Sequence, residues 1–322
     1  MIATISMAAI LGYTGLSLVG PVNNKYLSEI PKETAKAIND WFRDNSFQKN
    51  EEEYFADLHI HLDKKEAESD LAGMIKKLSQ KTDIVAITNK SLELESPQDL
   101  SFEYFRDLVT DSRSSLEYDI YADDKMICMA NHQDTLYLVK GQEILTGEGI
   151  GVIAVGCEDD FPKYSSMNQL LSGIEEQEGI SIMAHPYSVS TNFFKGRFRL
   201  PSNEQEEDRQ YYASLVTAVE EFNSQNTWFV KSMLGSNILA ARMAEEPCVN
   251  GIANSDTHYD LSTVGLAGTI FSREDIDYSS GDKFIESIKK NIGKGRYSIH
   301  TEYNNPISFG RTLGVGAVKE LF

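Results

Sequence analysis

From residue 54 onward, short apolar runs alternate with amphipathic stretches, and several of the runs stop at histidine, glutamate or aspartate. This alternation constrains the fold more than any other feature, because strands alternating with helices build a parallel sheet or barrel. Residues 83–88 (Asp-Ile-Val-Ala-Ile-Thr) are nearly all apolar, as in a strand covered on both faces. Residues 54–60 read as a buried strand ending in Asp57-Leu58-His59-Ile60-His61. Two histidines one residue apart on a strand face the same side, where they can hold one ion without a loop folding around it.

Further strands are predicted at 126–130, 135–145, 151–156, 180–184, 216–222, 249–254 and 267–271. Helices are predicted at 63–80, with Leu71, Met74, Ile75 and Leu78 as the buried stripe, and at 97–113, 167–178, 204–215, 237–246 and 282–292. Asp63 suits the first helix as its cap. The helix at 97–113 reads as surface-lying. The polar residues collect at or just after strand ends, where α/β folds keep their sites. His59, His61, Glu143, His185, Asp256 and His258 all stand there. Imidazoles and carboxylates that converge suit Zn²⁺, Mn²⁺ or Fe. His132 and His300 match no such position and read as structural.

Residues 1–50 form an appendage to a main domain at 51–322. Residues 1–24 carry no charge, and Pro31 opens a helical stretch through Asn45. The first segment is open to two readings, a membrane anchor or a buried helix interrupted by Gly12, Gly15 and Gly20. Lys25, Lys32 and Lys36 would keep an anchored chain cytoplasmic, and no basic segment precedes them as a secretory signal requires. The net charge of −19 argues against duplex nucleic acid as a partner, which needs a basic face. Cys128, Cys157 and Cys248 are odd in number and lack metal-knuckle spacing, so they read as small buried residues of a reducing compartment.

Taken in order, Asp57-Leu58-His59-Ile60-His61, Gly141-Gln142-Glu143-Ile144, Ala184-His185-Pro186, Glu220-Glu221-Phe222-Asn223 and Ser255-Asp256-Thr257-His258 give the chain a specific likeness. Over about residues 54–300 it resembles the PHP (polymerase and histidinol phosphatase) superfamily of metal-dependent phosphoesterases. The resemblance implies a distorted (β/α)7 barrel with up to three metals at the strands' carboxyl ends. By position, His59, His61, Glu143 and Asp256 would hold a first metal, Glu143 and His185 a second, and His258 would belong to a third.

Three departures deplete that set. Ile87-Thr88-Asn89-Lys90 stands where the family usually reads Ile-Thr-Asp-His. Gly151 falls near a usual histidine, and residues 62–70 lack another. One tight divalent ion and a weaker second are therefore expected. The implied activity is hydrolysis of a small phosphorylated substrate (a nucleotide, oligonucleotide end or sugar phosphate) by metal-activated water, with Lys90, Asp256 and His258 catalytic. The alternative is a degenerate domain that binds metal or a phosphorylated ligand without turnover. Lys90 can bind phosphate as a point charge in place of a lost ion. Lys195, Arg197 and Arg199, interleaved with Phe193, Phe194 and Phe198, are further candidates to grip substrate, set against an exposed loop of fortuitous charge.

Overall fold

A mixed sheet carries the whole domain in the computed structural model, which describes residues 50–90, 100–187, 203–225, 231–258 and 261–302. The segment 1–24, the expected helix at 31–45 and the cluster Lys195, Arg197 and Arg199 lie outside the described residues. Among the described residues, no helix is long and apolar enough to cross a membrane.

The strands are β1 (Glu53–His61), β2 (Ile84–Lys90), β3 (Asp119–Ala122), β4 (Met126–Ala130), β5 (Thr135–Leu145), β6 (Gly151–Val155), β7 (Ile180–Met183), β8 (Ala218–Asn223), β9 (Gly251–Asn254), β10 (Thr257–His258), β11 (Ala267–Ser272) and β12 (Ser298–Thr301). The helices are α1 (Lys64–Ser69), α2 (Leu71–Ser79), α3 (Phe102–Asp111), α4 (Met167–Glu176), α5 (Asn203–Ala213), α6 (Lys231–Ala244) and α7 (Gly281–Gly293). The sheet runs β12-β11-β1-β2-β5-β6-β7-β8-β9, with β10 added beside β1. It curls until β9 meets β11, where Thr269 Oγ1 lies 3.4 Å from both the amide and the carbonyl of Ala253. The result is a nearly closed barrel.

The wholly parallel sheet expected from the alternation is corrected. β1/β2, β2/β5, β7/β8 and β8/β9 are parallel, but β6 is antiparallel to both β5 and β7, and β11 to both β1 and β12. The β5–β6 link is a tight turn, with the Thr146 amide on the Ile150 carbonyl at 3.0 Å and Gly149 at φ 74. So short a link permits only a hairpin. Because β6 reverses, β5 and β7 still point the same way, so β1, β2, β5, β7, β8 and β9 open their carboxyl ends at one mouth.

Inside the barrel pack Tyr54, Ala56, Leu58, Tyr137, Val139, Ile153 and Phe271, together with Phe284, Ile285, Ile288 and Ile292 of α7. Helix α7 therefore plugs the end opposite the mouth. The outer face buries Ile60, Leu62, Val85, Ile87 and Leu138 beneath α2 and α3. Phe102, Phe105 and Val109 of α3 are buried in that layer, so this helix is half-embedded and does more than lie on the surface.

The single helix expected at 63–80 is two. Asp63 caps α1 by accepting from the Glu66 amide at 3.0 Å, as expected. Asp70 then leaves helical geometry (φ −151) and caps α2 by accepting from the Gly73 amide at 3.0 Å. An aspartate mid-pattern offers the backbone this competing bond, which the apolar periodicity does not register. Strands β3 and β12, too short and too polar to stand out, were not predicted. Cys157 is buried, but Cys248 is exposed at a positive φ of 72, contrary to the expectation of three buried thiols.

Glu221 faces outward from β8, with Glu245 as a like-charged neighbour. Burial, then Glu245, push its carboxyl up to about 7. The folded state therefore holds this proton more tightly than the unfolded chain does. The contribution of Glu221 to stability is fullest below pH ~4.5 and is lost as pH rises through ~7. Glu221→Gln is expected to remove that slope and gain about 2 kcal/mol at pH 8. Urea unfolding at pH 5 and pH 8 checks it; parallel losses in both proteins would refute it.

Candidate metal centre

Two bulges build the site. In β1 the pairing with β2 shifts register between Asp57 and Ile60. Tyr54, Ala56 and Leu58 belong to the barrel interior, whereas Ile60 belongs to the outer layer. The extra residue inverts the alternation, so His59 and His61 turn toward the mouth. In β8 a second shift lies between Glu220 and Phe222. It brings Glu220 and Asn223 to the same cluster while Glu221 faces out.

The structure gathers all six expected side chains. They form three overlapping triads: His59 with His185 and Asp256, His59 with His61 and Glu143, and His61 with Asp256 and His258, each with its ligand atoms within 4.8 Å of one another. Asp256 Oδ1 lies 3.3 Å from His59 Nε2, 3.6 Å from His61 Nε2 and 3.0 Å from His258 Nε2. Glu143 reaches His61 Nε2 at 3.4 Å and His185 Nε2 at 3.3 Å. By position alone His258 stood apart from the first-site ligands; here it joins His61 and Asp256. The reason is register, since His61 and His258 are paired residues of adjacent parallel strands and their rings stack at 4.3 Å.

The donor set fits a cation. His59 Nδ1 lies 3.0 Å from Glu220 Oε1, which favours a proton on Nδ1 and, in the neutral ring that binds a metal, leaves Nε2 as the acceptor. That nitrogen faces His61 Nε2 at 3.2 Å. Asp256 Oδ1 is buried among three imidazole nitrogens, yet none is aligned as a hydrogen bond to it. Lone pairs converging on one space in this way suit a positive ion. Burial disfavours charge on His59, but Asp256, Glu220 and Glu143 outweigh it and push its pKa up to about 10, so without an ion the ring holds a second proton on Nε2 that a bound cation would displace. Burial and then His258 drive His61 down to about 3. Burial would raise Asp256, but His59 and His258 hold it well below the usual carboxylate range.

Behind these residues lies a buried polar layer to which no role was assigned from sequence. Glu220 belongs to the Glu220-Glu221-Phe222-Asn223 motif, and the signal for it is a glutamate inside an apolar run. Its carboxylate also accepts from the His185 amide at 2.8 Å, Asn223 Nδ2 at 3.0 Å and Asn254 Nδ2 at 3.1 Å. Asp57 accepts from the amides of Ser255 at 3.0 Å and Gly265 at 3.2 Å. Burial pushes the Asp57 carboxyl up to about 6. His185 (φ 26) and Asp256 (φ 52) both occupy left-handed backbone. Such strain costs about 1–3 kcal/mol per residue and persists only where surroundings enforce it.

The other candidates fall elsewhere. Lys90 ends β2, paired in register with Glu143. A Cβ added at Gly151 would lie 3.6 Å from His185 Cε1, so this glycine stands against the cluster and contributes no ligand to it. His132 is exposed in the β4–β5 turn. His300 packs edge-on against Phe55 at 5.9 Å between ring centres.

Fold and site together define an α/β barrel with a histidine–carboxylate cluster, able to hold a divalent cation, at the carboxyl ends of its strands. No family model matches the sequence, and no curated protein matches it. Among solved structures, the chain is similar to PsfC from Pseudomonas syringae PB-5123, at 13% identity and a TM-score of 0.49, over 84% of this chain and 99% of that one. It is also similar to Endonuclease Q in complex with a 27-mer duplex bearing an abasic lesion, at 12% identity and a TM-score of 0.43, over 77% of this chain. A third likeness is to the lesion-specific endonuclease PfuEndoQ from Pyrococcus furiosus, at 12% identity and a TM-score of 0.42, over 73% of this chain. The chain spans 58% and 56% of the length of these two endonuclease chains.

Proposed function

We propose that this chain is a PHP-type metal-dependent phosphoesterase whose barrel is the distorted (β/α)7 form. The observation that carries the reading is the convergence of His59, His61, Glu143, His185, Asp256 and His258 in overlapping triads at one barrel mouth, in the chain order of the family motifs. A divalent ion bound there lowers the pKa of water and offsets charge on a phosphate. His59, His61, Glu143 and Asp256 would hold the tighter ion, and Glu143 with His185 a weaker one. His258, half-buried beside Asp256, would serve as a proton relay at the mouth. Lys90, at the end of β2 beside Glu143, is assigned to the phosphate, with Lys195, Arg197 and Arg199 as further anchors. The substrate is a small phosphorylated molecule, the site is cytoplasmic, and any membrane contact runs through residues 1–24.

One observation favours a second reading, a metal- or phosphate-binding domain without turnover. Asn89 and Lys90 replace an acid and an imidazole on the strand beside Glu143. Metal analysis of purified protein, followed by assay of aryl phosphomonoesters, aryl phosphodiesters and a nucleotide panel with added Mn²⁺, separates the two. The enzyme reading expects one tight equivalent and Mn²⁺-dependent turnover. Bound metal with no turnover on the panel supports the second reading. Three tight equivalents would overturn the depleted ligand set.

A further inference from the structure

We propose that Glu220 is the positioning residue of this centre, a carboxylate that sets three of the metal-binding side chains at once without binding the ion itself. The inference rests on the metal reading above. Glu220 is buried on β8 and belongs to none of the triads. Its two oxygens meet four donors, His59 Nδ1 and Asn254 Nδ2 on one and the His185 amide and Asn223 Nδ2 on the other. Asn223 Nδ2 also reaches Asp256 Oδ2 at 3.0 Å.

Each link has a separate consequence. The bond to His59 fixes the tautomer that presents Nε2 to the cluster. The bond from the His185 amide holds a ligand whose backbone sits at a positive φ. The relay through Asn223 does the same for Asp256, also at positive φ. Asn254 is itself tied to β1, since its Oδ1 accepts from the Leu58 amide at 2.9 Å. Ligands from β1, from the turn after β7 and from the turn after β9 thus share one anchor. A carboxylate suits the place because all four contacts are donors. A glutamine would turn its NH₂ toward two of them.

The test uses the full chain, stripped of metal, with Co²⁺ as probe. Glu220→Gln and Glu220→Asp are titrated with Co²⁺ by visible absorption and calorimetry, and the melting of the metal-free proteins is recorded. Both variants are expected to bind Co²⁺ 10–100-fold more weakly, with an altered visible band. Glu220→Asp keeps the charge but shortens the reach, so its loss separates positioning from charge alone. In the metal-free wild type, a low-field imidazole N–H proton assigned to His59 is expected, and Glu220→Gln should lose it. Should the glutamine variant not fold, Glu220→Asp and Asn223→Ala carry the comparison, the latter expected to weaken Co²⁺ 3–10-fold. Wild-type protein that binds Co²⁺ with variants matching it within twofold would overturn the role of Glu220 alone, even if the variants melt earlier. Wild-type protein that takes up no Co²⁺ would overturn the metal reading and this assignment together.

Discussion

His59→Ala is expected to abolish tight metal uptake and to lower any Mn²⁺-dependent phosphoesterase rate at least about a thousandfold. His59 belongs to two of the three triads, so its loss leaves only His61 with Asp256 and His258. It also removes one of the two donors to Glu220 Oε1, leaving a buried carboxylate short of a hydrogen bond. Asp256→Ala should behave alike, since Asp256 also serves two triads and three imidazole nitrogens. His258→Ala is the contrast. His258 belongs to one triad and its side chain is 25% exposed, so the tight ion should largely remain. Metal content after gel filtration, measured on all three variants, checks the ordering. A His258 variant that is empty while the His59 variant keeps its metal would move the principal ion to the His61–Asp256–His258 triad.

Phe284→Ala should cost about 3–5 kcal/mol of stability, read as a lower urea midpoint. Phe284 is fully buried where α7 enters the barrel, and its ring stacks on Tyr137 at 4.9 Å between centres. The gap is expected to close only in part, because Ile285, Ile288 and Ile292 hold the same helix in the same buried core. The site lies at the other end, so metal affinity per folded molecule should hold. Loss of both together at low urea would show that plug and mouth do not act independently.

Much of the strand layout was legible because a buried strand writes itself in apolar residues. The nearly unbroken run at 83–88 became β2, and 135–145 became β5 with matching limits. Helix breaks were less legible, as Asp70 shows, because one side-chain bond can end a helix whose apolar stripe continues. Strand direction was not legible at β6, where turn length overrode the alternation of strands and helices. The six candidate ligands, and a grouping of them, came from position and motif. The contact of His258 with His61 did not, because it exists only through the β1–β10 pairing.

By itself, the sequence determined which side chains can do chemistry here and that they stand at strand ends, because hydrophobic periodicity and residue type are local properties. Only the tertiary structure decided which way they point and what holds them. A one-residue bulge in β1 turns His59 and His61 inward, and another in β8 places Glu220 and Asn223 behind them. A bulge depends on the register against a neighbouring strand distant in sequence, and no local pattern encodes that register. The carboxylate of Glu220 likewise gathers donors from residues 59, 185, 223 and 254, and only closure of the barrel brings these together.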